Sequence, residues 1–88
     1  MDWDVCLRQA PDIDIREVTD GYVAYQPDRD RLHYLNPTAA FVFQTCDGTV
    51  RAGELPALVA AAFGLERPPV EDVERCLDTL VGERLLHA

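Results

Sequence analysis

Chemistry in a protein needs nucleophiles, bases or metal ligands at workable spacing, and this sequence holds few of them. Its three cysteines, Cys6, Cys46 and Cys76, are thirty or more residues apart, so no CxxC metal or redox pair exists. There is no serine. The two histidines, His33 in a strand-like run and His87 near the end, lack a metal-ligand partner at i+3 or i+4. Asp20, Asp28 and Asp30 could be read as a carboxylate site, but each lies at a turn signal, where aspartate bonds the local backbone. Five glycines occur singly, so no phosphate-cradling loop is present. The inventory predicts no catalytic residue, no metal and no cofactor.

What remains is recognition, and the charge balance narrows its kind. Sixteen acids face eight bases, all of them arginine, for a net charge of −8. Binding to phosphate backbones or anionic lipid needs clustered cations. Here the arginines are scattered and outnumbered, so neither nucleic acid nor membrane is an expected partner. The longest apolar run, Leu55 to Phe63, is nine residues, against about 20 for a bilayer span. The start, Met-Asp-Trp-Asp-Val, is acidic where a secretory signal is basic. The expectation is a soluble cytoplasmic protein with reduced, mainly structural cysteines. At 88 residues there is room for one core and one small domain.

The elements that position these residues fall into two halves. Ile13 and Ile15 alternate with Asp12, Asp14 and Arg16, the pattern of a half-buried strand. Asp20-Gly21 predicts a tight turn in which glycine supplies a positive φ. Tyr22 to Tyr25 is a second strand, and Pro27-Asp28-Arg29-Asp30 a second turn. Arg31 to Leu35 is the third strand. Asn36-Pro37 then opens a helix, with asparagine as the cap and proline in the first turn, and Asp47-Gly48 ends it. A second helix runs from about Gly53 to Phe63 and closes at Gly64. Pro68-Pro69 opens a third, in which Val70, Val73, Leu77, Leu80 and Val81 form a buried stripe. Glu71, Asp72, Glu74, Asp78 and Glu83 face outward, and Leu85 and Leu86 return to the core. Three strands followed by three helices predict an α+β domain with its helices on one side of a small antiparallel sheet.

A three-stranded meander leaves two edges with unpaired backbone groups. The third strand, Arg31 to Leu35, carries neither lysine nor proline to block pairing, and an added peptide would gain ladder hydrogen bonds there. The alternative is that residues 1–11 cover this edge. The pattern alone leaves both open.

Tyr34-Leu35-Asn36-Pro37-Thr38-Ala39-Ala40, followed by Cys46-Asp47-Gly48 and a last helix that ends in a Leu-Leu pair, resembles the PqqD-like family, also called the RiPP recognition element. The likeness covers about Ile13 to Leu86. It implies a winged helix-turn-helix-like fold over residues 12–88, with residues 1–11 as an N-terminal extension. It further implies binding of the leader segment of a ribosomally made precursor peptide as an added strand. The bound leader would be presented to a modifying enzyme, such as a radical SAM enzyme or another maturase of such peptides. The residues it points to are Arg31, Leu32, His33, Tyr34 and Leu35 on the strand, with Val73, Cys76, Leu77 and Leu80 on the third helix. Cys76, one step off the buried stripe, is the better groove candidate.

Two departures stand out. Arg51 replaces the usual Thr or Ser cap of the second helix, and Arg84 replaces a glycine before the closing leucines. Arg84 would be strained if its φ is positive. The main rival is a DNA-binding winged helix, whose recognition helix needs basic and amide side chains; the acidic third helix disfavours it. A second alternative is a docking domain that binds a partner enzyme without reading a peptide. The unpaired strand would also support a homodimer.

Overall fold

The computed structural model describes residues 2–88; Met1, the first residue of the expected extension, lies outside them. In chain order the elements are β1 (Cys6–Gln9), β2 (Asp14–Val18), β3 (Gly21–Gln26), β4 (Arg31–Leu35), α1 (Pro37–Thr45), β5 (Asp47–Arg51), α2 (Leu55–Phe63), α3 (Val70–Gly82) and β6 (Leu86–His87). The fold is α+β. β2, β3 and β4 form the expected antiparallel meander in that order. The three helices begin where cap and proline signals put them. Asn36 accepts a hydrogen bond from the Ala39 amide at 2.8 Å, Pro56 sits in the first turn of α2, and Pro69 caps α3.

The strands-then-helices order is incomplete. A second antiparallel sheet, β5-β1-β6, draws its strands from the start, the middle and the end of the chain. The residues before Asp12 run through its central strand. Trp3 and Val5 carry this segment onto the start of α2, their carbonyls accepting from the amides of Gly53 (2.7 Å) and Ala52 (2.8 Å). Short polar strands such as Asp47-Gly48-Thr49-Val50-Arg51 have no strand signature of their own, because their pairing is entirely non-local.

One core joins the inner face of the meander to the helices and the second sheet. Ala24 and Leu35 from the sheet meet Phe43, Leu55, Val73, Leu77, Leu85 and Leu86, all buried. The buried stripe of α3 is narrower than expected. Val73, Leu77 and Leu80 are buried, but Val70 and Val81 are 48% and 41% exposed. At 100° per residue those two valines lie roughly 60–80° off the stripe's centre, so the helix turns them to one flank and Cys76 to the other.

Three local features differ in cause from their sequence reading. The loop of the first hairpin is Thr19-Asp20, with Val18 paired to Gly21, and Gly21 is not among the positive-φ residues. Its glycine is required by space: a Cβ there would sit 2.5 Å from the Leu35 carbonyl oxygen and 2.8 Å from the Tyr34 hydroxyl. Gly21→Ala is therefore expected to destabilise the domain by about 1–3 kcal/mol, the usual penalty for overpacking, measured by urea unfolding. Arg51 needs no side-chain oxygen to start the next helix, because the Glu54 carboxylate accepts its amide at 2.8 Å. Arg84 does adopt a positive φ of 61°. Arg84→Gly should stabilise the protein by about 1 kcal/mol through relief of that strain, read as a shift in the urea midpoint at constant m.

Candidate functional site

The meander has two unlike edges. β2 presents Asp14, Arg16 and Glu17, and the Arg16 guanidinium pairs with the Asp14 carboxylate at 3.1 Å. Charges of this kind discourage strand addition. β4 offers Leu32 and Tyr34, 70% and 60% exposed, and nothing among the described residues pairs with its outer side. The N-terminal segment, the other candidate for covering it, is engaged in the second sheet.

The hydrogen-bond phase of β4 follows from one proline. Gln26 is partnered with Arg31. In the opposite phase the adjoining hydrogen bond would need a donor at Pro27, which has no amide hydrogen. Gln26 and Arg31 therefore exchange both bonds, and the ladder alternates from there. Arg31, His33 and Leu35 turn their backbone groups toward β3. Leu32 and Tyr34 turn theirs outward.

Beside this edge lies a groove of about 410 Å³ between β4, the start of α1 and one flank of α3. Tyr34 lines it at the strand edge, its apolar lining is Leu35, Ala39, Cys76 and Leu80, and its polar lining includes Asn36, Thr38, Asp72, Arg75 and Thr79. The residues singled out from sequence thus separate. Leu32, Tyr34, Leu35, Cys76 and Leu80 converge on the edge and groove. Val73 and Leu77 are completely buried and face the core. Arg31 and His33 lie at the far end of the strand, where both approach the Glu83 carboxylate, at 3.5 and 3.7 Å.

Sequence reasoning missed Asp72, Arg75 and Thr79. With Cys76 they stand at i, i+3, i+4 and i+7, the spacing of one helical stripe, so a second, polar stripe flanking the apolar one was the available signal. This stripe carries one acid and one base, Asp72 and Arg75, at 3.4 Å from each other. Glu71, Glu74 and Asp78 fall on the opposite side of the helix. The groove is consequently near neutral in a strongly acidic molecule.

The far end is fixed by a polar cluster. The buried Gln26 side chain donates through Nε2 to the Arg84 and Glu83 carbonyls at 3.2 and 3.4 Å. Its oxygen is left to accept, which makes His33 Nε2, 3.1 Å away, the donor. This ties the β3–β4 hairpin to the end of α3 and sets how far apart strand and helix stand.

The cysteines are all free. Burial pushes the Cys46 thiol up to about 11, with smaller contributions from Cys76 and Asp47, and burial likewise pushes Cys76 up to about 11. A thiol with a raised value holds its proton in the fold but loses it on unfolding. This contribution to stability is complete below pH 9, the ordinary thiol value, and is lost as pH rises through 11. Two outcomes are expected: slow alkylation of Cys46 and Cys76 in the native protein by iodoacetamide at pH 7.5, and a fall in melting temperature between pH 9 and 11 that Cys46→Ala reduces.

No helix among the described residues is long and apolar enough to cross a membrane. Comparison with curated proteins and with solved structures returns no match. The family described as coenzyme PQQ synthesis protein D (PqqD) matches residues 21–86, a span that contains the whole of β3, β4, α1, α2 and α3.

Proposed function

The chain belongs to the PqqD family, and on that premise we propose that it binds the leader segment of a ribosomally made precursor peptide and presents it to a modifying enzyme. Membership supports an accessory role in PQQ-type or related peptide-derived biosynthesis. The leader adds as a strand beside β4, taking up the outward amides and carbonyls of Leu32 and Tyr34. Its inward side chains enter the groove over Leu35, Cys76 and Leu80. Arg31 and His33 hold the strand's far end, while Val73 and Leu77 act from the core by setting the position of α3.

The observation that carries this reading is the coincidence of the unguarded edge with the groove. A strand in that place gains ladder hydrogen bonds worth roughly 0.5–1.5 kcal/mol each and buries apolar side chains in the same step. The test is titration of the protein with synthetic leader segments from neighbouring small open reading frames, followed by amide-shift NMR. Saturable shifts at Leu32, Tyr34, Cys76 and Thr79 are expected. Binding that moves α2 instead would overturn the reading.

One observation favours a second reading, a docking module. α2 is uncharged from Leu55 to Phe63 and exposes Leu58 and Phe63, followed by Leu65. Under it, the partner enzyme binds α2 with no leader present.

A further inference from the structure

The leader site has a second apolar surface besides the groove. Side chains alternate between the faces of a strand, and the register assigns each one. Leu35, His33 and Arg31 face the helices with Tyr22, Ala24 and Gln26; Tyr34 and Leu32 face away, opposite Val23 and Tyr25. The outer face of the meander is therefore an apolar shelf of Leu32, Tyr34, Val23 and Tyr25. It becomes polar only at β2, with the Asp14–Arg16 pair. No helix among the described residues covers it, and it runs without a break to the β4 edge.

A strand added to β4 extends both faces of the sheet. Its residue opposite Leu35 enters the groove, which Leu35 lines and His33 does not. The neighbour of that residue lands beside Tyr34 on the outer face. We propose that the peptide recognised here carries adjacent apolar residues, one for the groove and its neighbour for the outer shelf, instead of the apolar–polar alternation of an ordinary half-buried edge strand. The inference rests on the strand-addition reading and names the class of sequence it selects.

The physical case is the cross-strand pair. A leader residue placed on the outer face opposite Tyr34 covers its ring and reaches Leu32, 70% exposed, on the diagonal. Pairs of aliphatic and aromatic side chains across adjacent strands are favourable, whereas a polar residue there leaves the shelf in water. Inside the groove a leucine is worth more than on the shelf, because β4, α1 and α3 flank it and cover more of its surface.

The probes are three capped eleven-residue peptides on one threonine-rich frame, with Leu-Val, Leu-Thr or Ser-Val at the two central positions. Each is titrated against isotope-labelled protein and against its Leu32→Thr variant, which changes a side chain that is 70% exposed and outside the core. Leu-Val is expected to bind about three- to fivefold tighter than Leu-Thr, and the variant to narrow that difference. Ser-Val should lose roughly tenfold or more against Leu-Val in both proteins. Equal affinity of Leu-Val and Leu-Thr, with shifts still centred on the Leu32 and Tyr34 amides, would overturn the two-faced recognition and leave strand addition standing. Binding that leaves those two amides unmoved would overturn both.

Discussion

Tyr34→Pro should weaken peptide capture roughly tenfold or more in a folded protein, while His33→Pro should damage the fold itself. The two residues are neighbours on one strand, and the difference comes from which way each amide points. Tyr34 sends its N–H outward, so proline removes a donor that no part of the chain uses. A proline at an edge position of this kind is tolerated. An incoming strand then loses one hydrogen bond and must leave a carbonyl unpaired, a penalty of about 1–3 kcal/mol, or roughly tenfold or more in affinity. Tyr34→Ala separates the loss of the ring from the loss of the amide and should retain most of the binding. His33 exchanges both backbone bonds with Ala24, which is fully buried. Proline there breaks the central rung of the β3–β4 ladder and removes the imidazole held by Gln26. A loss on the order of 1–3 kcal/mol is expected from the unpaired Ala24 carbonyl alone, which lowers the melting temperature by roughly 4–8 °C per kcal/mol at this size. Thermal melts with amide-shift titrations of the three variants check this. Equal losses of binding at both positions, with both folds intact, would refute the assigned phase.

Leu77→Ala and Cys76→Trp should likewise separate, on adjacent residues of α3. Leu77 is fully buried between sheet and helices, so truncation leaves a cavity and is expected to cost about 2–5 kcal/mol. A domain of this size has roughly 4–13 kcal/mol in total, so a large share of it would be lost, read by chemical denaturation. Cys76 faces the groove and is only partly buried. An indole there fills the space that the leader's side chain would enter, and weakens binding by roughly tenfold or more, given the worth of a buried leucine. The melting temperature should change little, because the larger side chain extends into open groove. If Cys76→Trp unfolds the protein instead, Cys76 belongs to the core and the groove is floored by Leu80 and Leu35 alone.

The β2–β3–β4 meander and all three helices were legible in the sequence because their signals are local. Alternation at Ile13 and Ile15, the capping Asn36 with Pro37, Gly64 after α2 and Pro68-Pro69 before α3 each act within a few residues. The same locality explains what was missed. β1, β5 and β6 are short, and two of them are largely polar. They become strands only because residue 6 meets residue 51 and residue 8 meets residue 87 in space, and no pattern within any one of them announces that pairing.

For the site, the chain by itself determined a strand at Arg31 to Leu35 with neither lysine nor proline in it, on a molecule of net charge −8. It also determined the hydrogen-bond phase once the register was known, since Pro27 permits only one. The tertiary structure alone decided which of the residues on α3 face the groove. Helical periodicity fixes relative angles but not the helix's rotation about its axis, and that rotation is set by packing against α1 and the sheet. It turned Val73 and Leu77 into the core and aimed Cys76, with the Asp72, Arg75 and Thr79 stripe that periodicity sets beside it, at the groove. Whether the β4 edge lay open was also a tertiary question. The answer came from the second sheet, which takes up the N-terminal segment and leaves β4 bare.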